Sequence, residues 1–404
     1  MSQENNFVGR EAELQVFRRM LDSPHKEKRV LYVSGPGGNG KTVLLKTMIN
    51  EAKNKDNILV VEELIDFHST DYRHIDGIQN KIVEVIDHFT SIQKNFGDVF
   101  LEYKSPKGDT SETFHRCLQK FCLEHSLVLA FDTLERLGQV ASDWLFRADI
   151  GGLQVPGLIC IVAGRRALDD IPNAPFINKL NLFGLNKEEI IRLVKDVPKE
   201  STGDDLFPDL LRVTDHNADM DNYEDLANVL LSKTEGRPLR VQMVIQWARS
   251  LETGSLNQIS SEQFDQELMR QVFGLEGHGG GRLPVMPKSI EDTVYGAVRC
   301  MAVVDRRFDA RFLKHLILNA SDLIPFHGSD IDEGIQDVMR NLELYFFVKA
   351  LGKNNPKQVL QLHDEMAELI RKYVWPAVDP GGEQRQQLYK KIIMFYDALL
   401  QEEI

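Results

Sequence analysis

The sequence has few cysteines, and none of them has the spacing of a metal site. Four cysteines occur in 404 residues, with no Cys-x-x-Cys pair and no histidine at zinc-ligand spacing. They are expected to be buried, reduced and apolar in character, as in a reducing compartment. A disulfide between Cys117 and Cys122 stays open as an alternative.

Long hydrophobic runs and a signal peptide are also lacking. The longest apolar runs, residues 127–131 and 158–163, have the length of strands and are too short to cross a bilayer. The first six residues lack the basic and then apolar pattern of a secretory signal. These absences predict a soluble cytoplasmic protein with no membrane partner.

An excess of basic residues is missing as well. The net charge is −13, which argues against a surface that attracts nucleic acid or anionic lipid as a whole. Residues 185–276 contribute most to this balance, with 18 acidic and 10 basic residues. A nucleic-acid partner is therefore not expected.

What the sequence does contain first is an alternation of short apolar segments with helical ones. Short runs rich in β-branched residues are typical of strands buried on both faces of a parallel sheet. The predicted strands are residues 30–34, 58–67, 127–131, 158–163 and 179–182, and the predicted helices between them include 43–53, 75–88 and 112–125. This alternation predicts a doubly wound parallel α/β sheet.

Beyond residue 182 the pattern becomes helical. Asn186 and Glu189 form a capping-box signature, and further helices are predicted over 223–234 and 239–251 and after Ser260. Residues 282–376, with 13 acidic and 13 basic residues, combine three predicted helices with two strands (345–350 and 359–362) and a further helix, which is typical of a winged helix. The predicted domains are 1–183 (nucleotide-binding), 184–276 (helical lid), 277–287 (linker), 288–376 (winged helix) and 377–404 (C-terminal helix).

The clearest motif is a phosphate-binding loop between the first predicted strand and a helix. It fits the pattern G-x-x-x-x-G-K-[ST] in the strand–loop–helix context that the motif requires. Its glycines let consecutive backbone N–H groups point at phosphates, and the helix N-terminus favours an anion. Lys41 is expected to contact the β- and γ-phosphates, and the Thr42 hydroxyl is expected to bind Mg²⁺. The expected contacts in and beside the loop are Gly35, Gly37, Gly38, Asn39, Gly40, Lys41, Thr42 and Val43.

A carboxylate ends the third predicted strand. Asp132 follows the apolar residues 127–131, and the carboxyl end of a parallel strand would place it beside the phosphate loop as a second Mg²⁺ ligand. Many P-loop ATPases have a water-polarising glutamate in the next position, where this sequence has Thr133. Glu135 is two residues further on, and two roles stay open for it: catalytic base or surface pairing. Slow hydrolysis is therefore expected.

Arg165 and Arg166 follow the fourth predicted strand. An arginine at this strand end can reach the γ-phosphate and distinguish ATP from ADP, and Arg165 is favoured over Arg166 for this sensor role. A solvated basic turn is the alternative. Taken alone, residues 7–11 read as an ordinary helix start, residues 236–239 as a helix stop and restart, and His363 as a core histidine.

The order of these motifs resembles the STAND class of signalling NTPases, which are related to AAA+ proteins and include NB-ARC and NACHT-type switches. The resemblance covers nearly the whole chain and is carried by Phe7-Val8-Gly9-Arg10-Glu11, the phosphate loop, Phe131-Asp132-Thr133-Leu134-Glu135, Gly164-Arg165, Leu182-x-x-Leu185 with Glu188-Glu189, Gly236-Arg237-Pro238-Leu239 and Leu362-His363-Asp364. Leu362 stands where such proteins often have methionine, which is a small departure. Thr133 is a larger one, because it puts vigorous turnover in doubt.

The resemblance implies a set of nucleotide contacts. Val8, Gly9 and Arg10 would lie on the adenine side, and Pro238 would pack on the base from the lid. His363 would reach from the winged helix to the β-phosphate of ADP. A histidine suits this role because one ring nitrogen can donate to phosphate.

The function that the resemblance implies is an ATP/ADP switch with slow ATP hydrolysis. ADP would hold the closed state, and ATP would open the chain for self-assembly or signalling with a protein sensor or effector. Such proteins usually carry an effector before the ATPase and a repeat-built sensor after the winged helix, so this chain is expected to be a fragment or to work with separate proteins. The alternatives are an AAA+ DNA-associated ATPase of the origin-recognition or loader kind, and a nucleotide-locked binding module without turnover.

Overall fold

The fold was analysed in a computed structural model that divides into two compact units, residues 7–183 and residues 184–404 together with the first six. The structure describes residues 8–23, 27–55, 58–92, 99–105, 110–201, 207–213, 223–248, 256, 260, 263–273, 288–304, 308–343, 345, 347–351 and 359–402. Phe7, the predicted linker and the turn at 352–356 lie outside these ranges.

The first unit is built on a parallel sheet, which confirms the predicted fold class. Its strands are β1 (Arg29–Ser34), β2 (Ile58–Val60), β3 (Ile65–Asp66), β4 (Ser126–Asp132), β5 (Leu158–Gly164) and β6 (Ile177–Asn181). They run in the order β2-β4-β5-β1-β6, and β3 also pairs with β4. All the pairings are parallel, so the strand ends that carry polar residues meet at one edge.

The sequence predicted one continuous strand over residues 58–67, and this prediction was wrong. The structure has two short strands there, β2 and β3, separated by a bend that contains the acidic pair Glu62 and Glu63. Both glutamates are largely exposed, with side chains 73% and 53% accessible. Charged side chains of this kind disfavour a strand buried on both faces, so the chain leaves the sheet and returns at Ile65.

Helices cover both faces of the sheet. They are α1 (Glu11–Asp22), α2 (Lys41–Lys53), α3 (Ile75–Ile92), α4 (Ser111–Cys122) and α5 (Gln139–Phe146). Alternate residues of the central strands enter two separate cores: Leu129 and Phe131 lie in one, and Val128 and Ala130 lie in the other. This two-sided burial explains why the strands read as continuous apolar runs.

The second unit begins with helices, and the described residues between 187 and 273 are called the helical segment below. They are α6 (Lys187–Ser201), α7 (Phe207–Val213), α8 (Tyr223–Thr234), α9 (Pro238–Trp247) and α10 (Phe264–Val272). Both bonds of the capping box at Asn186 and Glu189 form, at 3.0 and 2.8 Å. The predicted cap at Ser260 differs, since Gln263 is the N-cap of α10 and makes no side-chain cap bond.

The C-terminal segment of this unit, residues 288–402, adds a small sheet to further helices. The elements are α11 (Lys288–Val303), β7 (Phe308–Asp309), α12 (Ala310–Asn319), α13 (Ile331–Glu343), β8 (Val348–Leu351), β9 (Val359–Leu362), α14 (Asp364–Leu369), a π-helical turn (Ile370–Val374), α15 (Trp375–Val378) and α16 (Glu383–Glu402). The sheet is antiparallel in the order β7-β9-β8, and sequence patterns missed its two-residue strand β7.

The described residues can be checked for membrane-spanning helices and for the alternative disulfide bond. No helix among them is long and apolar enough to cross a membrane. All four cysteines are described and are free and buried, so the Cys117–Cys122 disulfide does not form.

Candidate functional site

The phosphate loop connects the end of β1 to the start of α2 and depends on glycine at three positions. Gly38 and Gly40 have φ angles of 76° and 84°, in the left-handed region that favours glycine. Gly35 lies so close to the end of β6 that a Cβ atom there would come within 2.8 Å of the Leu182 carbonyl oxygen. These constraints shape a tight turn that leads directly into the N-terminus of α2, an arrangement that favours anions.

Two buried side chains hold this loop against the rest of the first unit. Asn39 donates from Nδ2 to the Leu182 carbonyl at 2.7 Å. Arg10, which is 7% exposed, donates from Nη2 to the carbonyls of Asn39 and Phe183 at 3.1 and 2.7 Å. Arg10 therefore fixes the loop through its backbone, a contact that sequence reasoning did not foresee.

The other residues predicted on the adenine side lie at or near the start of α1. Gly9 and Arg10 both have left-handed backbones, with φ angles of 77° and 67°. Val8 and Gly9 are half-buried. Val43 in the first turn of α2 is 45% exposed. The contact of Val8, Gly9 and Arg10 with a base, and that of Val43 with the nucleotide, stay predictions.

Lys41, Thr42 and Asp132 converge at the mouth of the loop. The Lys41 ammonium group donates to the carbonyls of Gly35 and Pro36, at 2.7 and 2.8 Å. The Thr42 hydroxyl donates to Oδ2 of Asp132 at 2.5 Å, and Asp132 is only 3% exposed. The structure brings Thr42 and Asp132 into contact, and the roles of Lys41, Thr42 and Asp132 in binding a nucleotide and Mg²⁺ stay predictions.

This group of atoms fits Mg²⁺ bound beside phosphates. Mg²⁺ prefers oxygen ligands and commonly takes one or two carboxylates together with substrate phosphates. The Thr42 hydroxyl and the Asp132 carboxylate supply such oxygens at hydrogen-bonding distance from each other. No cluster of three or more His, Cys, Asp or Glu residues suited to a metal occurs among the described residues. Phosphate and water oxygens would complete the octahedral coordination that Mg²⁺ prefers.

Thr133, at the position where a glutamate is usual, is part of a polar cluster with two residues that the sequence analysis missed. Its hydroxyl donates to Oδ1 of Asp66 at 2.9 Å. Nδ1 of His68 lies 3.2 Å from that same oxygen and 3.2 Å from the Thr133 hydroxyl. The carboxylate of Asp66 at the end of a predicted strand could have signalled this cluster, but residues 58–67 were interpreted as one uninterrupted strand.

Glu135 and Arg165 pair with each other. The Arg165 backbone N–H donates to Oε2 of Glu135 at 3.0 Å, and its Nε lies 3.3 Å from Oε1. The side chains are 34% and 26% exposed for Arg165 and Glu135 respectively. Of the two roles left open for Glu135, pairing is therefore the one that the geometry favours.

The neighbouring arginine has a different environment. Arg166 donates to the Ser142 hydroxyl and the Leu137 carbonyl at 2.9 and 2.7 Å, and its own carbonyl accepts from Tyr32 and Ser34. Burial raises the pKa of the Tyr32 phenol, which therefore stays protonated as a donor. Arg166 thus connects β5 to α5 and β1.

Pro238 and His363 belong to the second unit. Pro238 is the first residue of α9, where its fixed φ suits the helix start. His363 is the N-cap of α14, and its Nδ1 accepts from the Glu365 backbone N–H at 3.3 Å. Their approach to a nucleotide stays a prediction.

Next to these two residues lies a buried ion cluster that sequence reasoning did not find. Oε1 of Glu365 accepts from Arg237 and Arg240, each at 3.2 Å, and Arg240 also donates to Asp265 at 2.9 Å. Burial raises the pKa of Glu365 and of Asp265, while the arginines oppose that shift. The cluster joins α9 and α10 of the helical segment to α14 of the C-terminal segment.

Comparison with known proteins agrees with this geometry. Residues 6–150 match the model of the AAA ATPase domain family AAA_16. This match covers less than half of the chain and shows that residues 6–150 are similar to AAA ATPase domains, in agreement with the predicted resemblance to AAA+-related P-loop ATPases. No curated protein matches the chain.

Solved structures provide the fold comparison. A signal transduction ATPase with numerous domains (STAND) from Pyrococcus horikoshii, which has a tetratricopeptide repeat sensor, is 15% identical at a TM-score of 0.50; the match covers 98% of this chain and 46% of that one. At this identity the similarity shows the fold alone. The Drosophila origin recognition complex bound to DNA is 14% identical over 91% of this chain and 96% of that one, at a TM-score of 0.40. A Walker-type ATPase of Pyrococcus abyssi is 15% identical over 90% and 96%, at a TM-score of 0.39.

Proposed function

We propose that this chain is an ATP/ADP-controlled molecular switch of the STAND kind that hydrolyses ATP slowly. ADP holds a closed state, and ATP favours an open state that assembles or signals. The observation that carries this proposal is the pairing of Glu135 with Arg165 beside a complete phosphate loop. In this pairing the candidate catalytic base binds the candidate γ-phosphate sensor, beside a loop that can bind nucleotide phosphates.

In this proposal the first unit binds the phosphates. The backbone N–H groups of the loop and the N-terminus of α2 receive phosphate oxygens, and Lys41 moves from the loop carbonyls to the β- and γ-phosphates. Thr42 and Asp132 hold Mg²⁺, which neutralises phosphate charge and orients the nucleotide. Val8, Gly9 and Arg10 border the base.

Arg165 reports which nucleotide is bound. With ADP its side chain stays on Glu135, as the 3.3 Å contact supports. With ATP the γ-phosphate competes for the guanidinium, because a phosphate offers more charge than a half-exposed carboxylate. Turnover is slow because Thr133 lacks a carboxylate and Glu135 still accepts from the backbone N–H of Arg165 when the guanidinium has moved to the phosphate.

The second unit responds to this change. Pro238 packs on the base and His363 donates to the β-phosphate of ADP, so the helical and C-terminal segments act as the closing part of the switch. A ligand shifts a two-state equilibrium only by what it binds better in one state. The contact of His363 with ADP makes ADP bind more tightly to the closed state. The contact of Arg165 with the γ-phosphate makes ATP bind more tightly to the open state.

A protein partner provides the input or the output. The Pyrococcus horikoshii protein carries a tetratricopeptide repeat sensor, and this chain spans 46% of its length. By analogy with that sensor, a protein sensor or effector acts on this chain in the proposal, and the ATP state self-associates.

The test is size-exclusion chromatography with light scattering of the whole chain in ADP, in a non-hydrolysable ATP analogue and without nucleotide. The expected result is a compact monomer with ADP and a larger species with the analogue. Identical elution in both nucleotides would contradict the switch. Identifying the nucleotide that copurifies with the chain gives an independent check, and ADP is expected.

Controls separate the alternative functions. Lys41→Ala is expected to abolish both nucleotide binding and the elution change, whereas Lys46→Ala, an exposed lysine of the same helix, keeps them. A chain that binds nucleotide and changes elution without any phosphate release would be a binding module without turnover. Salt-dependent duplex-DNA binding at micromolar affinity or tighter would instead favour a DNA-associated ATPase.

A further inference from the structure

The polar cluster around Thr133 lies directly beside the candidate Mg²⁺ ligands. In the parallel pairing of β3 with β4, Asp66 is the register partner of Asp132. The backbone N–H of Phe67 continues this pairing by donating to the Asp132 carbonyl at 3.2 Å. Paired residues of neighbouring strands project to the same face and lie about 5 Å apart. The fold therefore brings a second carboxylate to the edge of the sheet where Asp132 contacts Thr42.

The orientation of Asp66 is strongly determined. Its Oδ1 accepts from the Thr133 hydroxyl at 2.9 Å and from the His68 backbone N–H at 3.0 Å, with the His68 ring 3.2 Å away. The side chains of Asp66 and His68 are 13% and 5% exposed. A carboxylate held in this way by donors on one oxygen is pre-organised, because its rotamer is fixed before any substrate arrives.

Thr133 adopts a costly conformation to make this contact. Its φ angle of 64° lies in the left-handed region, which a β-branched residue rarely enters. Such a conformation persists only where surrounding contacts hold it, and here they include the bonds from Thr133 to Asp132 and to Asp66. The threonine thus takes the usual place of the glutamate but directs its hydroxyl at a carboxylate on the neighbouring strand.

The other candidate carboxylate is already engaged. Both oxygens of Glu135 lie at hydrogen-bonding or ion-pair distance from Arg165. Asp132 has its Oδ2 on Thr42 and its Oδ1 on the Thr133 backbone N–H. The backbone N–H of Thr133, the residue in the glutamate position, binds Asp132, whereas its side-chain hydroxyl binds Asp66.

We propose that Asp66 is the carboxylate that orients the attacking water in ATP hydrolysis, and that Thr133 and His68 are its positioning residues. This role rests on the proposed slow ATPase. The water oxygen bonds to the γ-phosphorus while the bond between that phosphorus and the β,γ-bridging oxygen breaks. ADP leaves with the bond electrons, and the water proton passes through the carboxylate to solvent, which gives ADP, inorganic phosphate and a proton.

The experiment measures turnover and nucleotide binding separately on the whole chain. Asp66→Asn is expected to lower kcat about 100-fold, while KM and the affinity for a fluorescent ADP analogue stay within about twofold. Thr133→Val, which keeps the shape but removes the donor, is expected to lower kcat about tenfold, and Thr133→Ser restores it. Asp71→Asn, an exposed aspartate outside the cluster, serves as the matched control.

A second readout does not depend on steady-state activity. After incubation with radiolabelled ATP, the nucleotide retained by Asp66→Asn is expected to be ATP, whereas the unchanged chain retains ADP. If Asp66→Asn fails to fold, as judged by its melting curve, Thr133→Val carries the test alone.

Three results would overturn the proposal. They are an unchanged kcat in both Asp66→Asn and Thr133→Val, a loss of nucleotide binding equal to the loss of kcat, and a fall of about 100-fold in Glu135→Gln with Asp66→Asn unaffected. If the unchanged chain releases no phosphate but still changes its elution with nucleotide, the role of Asp66 fails and the switch stands. If hydrolysis depends on Asp66 but elution never changes, the switch fails and the role of Asp66 stands.

Discussion

Arg240 of the helical segment donates to the buried carboxylate of Glu365 in the C-terminal segment at 3.2 Å. Arg237 binds the same oxygen, and Glu365 is only 5% exposed. Because Glu365 follows His363 by two residues, this ion cluster lies directly next to the histidine proposed to sense ADP. In the proposed switch, this contact between the two segments would link the position of His363 to that of the helical segment.

The first prediction concerns stability. Glu365→Ala removes the carboxylate that two arginines share, and breaking a buried ion pair from one side typically costs about 3 kcal/mol. In a background that carries Trp144→Phe and Trp247→Phe, the fluorescence of buried Trp375 in urea follows the second unit, and its free energy of unfolding is expected to fall by about that amount. Glu368→Ala, an exposed glutamate of the same helix, is the control and is expected to change it by less than about 0.5 kcal/mol. If both substitutions changed the free energy of unfolding equally, the ion cluster would not be a specific source of stability.

The second prediction concerns pH. Burial raises the pKa of Glu365 above its ordinary value of 4.5, so the folded chain keeps this proton to a higher pH than the unfolded chain does. Where the folded state binds more protons, the free energy of unfolding falls as pH rises. The contribution is complete below pH 4.5 and is lost as pH rises through the folded pKa. As pH rises from 4.5 through the folded pKa of Glu365, the urea midpoint of the unchanged chain should therefore fall relative to that of Glu365→Gln. If it rose relative to that of Glu365→Gln, the pKa of Glu365 would not be raised in the folded chain.

The two predictions depend on residues that sequence reasoning could not place. The phosphate loop and Asp132 were predictable because each is defined by a local pattern, a strand followed by a turn or a carboxylate. The Glu365 cluster joins residues 125 and 128 positions apart, and no periodicity connects them. Asp66 was hidden for a related reason, since its significance depends on the strand register with Asp132.

The pairing of Glu135 with Arg165 shows another reason why the site could be predicted only in part from the sequence. Its residues were both identified from the sequence, as candidate base and candidate sensor. Their contact depends on the short helical turn Leu134–Arg136 and on Gly164, where a Cβ atom would lie 2.8 Å from Cβ of Leu134 and 3.2 Å from Oε2 of Glu135. Motif order therefore predicted the parts of the site, and only the packing of the turn against β5 revealed the pairing.

The third prediction tests the metal site. Thr42→Val removes the hydroxyl that contacts Asp132 but keeps the size of the side chain. Affinity for ATP in Mg²⁺ is expected to fall about tenfold, since a lost hydrogen bond or ligand contact to a charged group is worth about 1.5 kcal/mol. In EDTA the two proteins should bind nucleotide equally. Thr47→Val, on the same helix, is the control, and a tenfold loss that persists in EDTA would show that Thr42 acts on the loop and not through the metal.

The fourth prediction concerns the loop's support. Arg10→Ala removes the buried guanidinium that binds the carbonyls of Asn39 and Phe183, and it is expected to lower the melting temperature and weaken binding of ADP and ATP alike. The expected loss of stability is about 1–3 kcal/mol, because buried acceptors lose a charged donor. Arg19→Ala, exposed on the same helix, should change neither quantity. Selective loss of one nucleotide would contradict a purely supporting role.

The fifth prediction separates the two arginines at the end of β5. Arg165→Gln keeps a polar side chain but loses the charge that would choose between Glu135 and a γ-phosphate, so affinity for a non-hydrolysable ATP analogue is expected to fall about tenfold while ADP affinity stays unchanged. Arg166→Gln breaks contacts to Ser142 and to the Leu137 carbonyl, so it should lower the melting temperature and weaken both nucleotides equally. Isothermal titration with each nucleotide, together with melting curves, gives both comparisons. If Arg166→Gln alone discriminated ATP from ADP, the sensor would be Arg166, and the pairing of Glu135 with Arg165 would be a surface contact without a role in the switch.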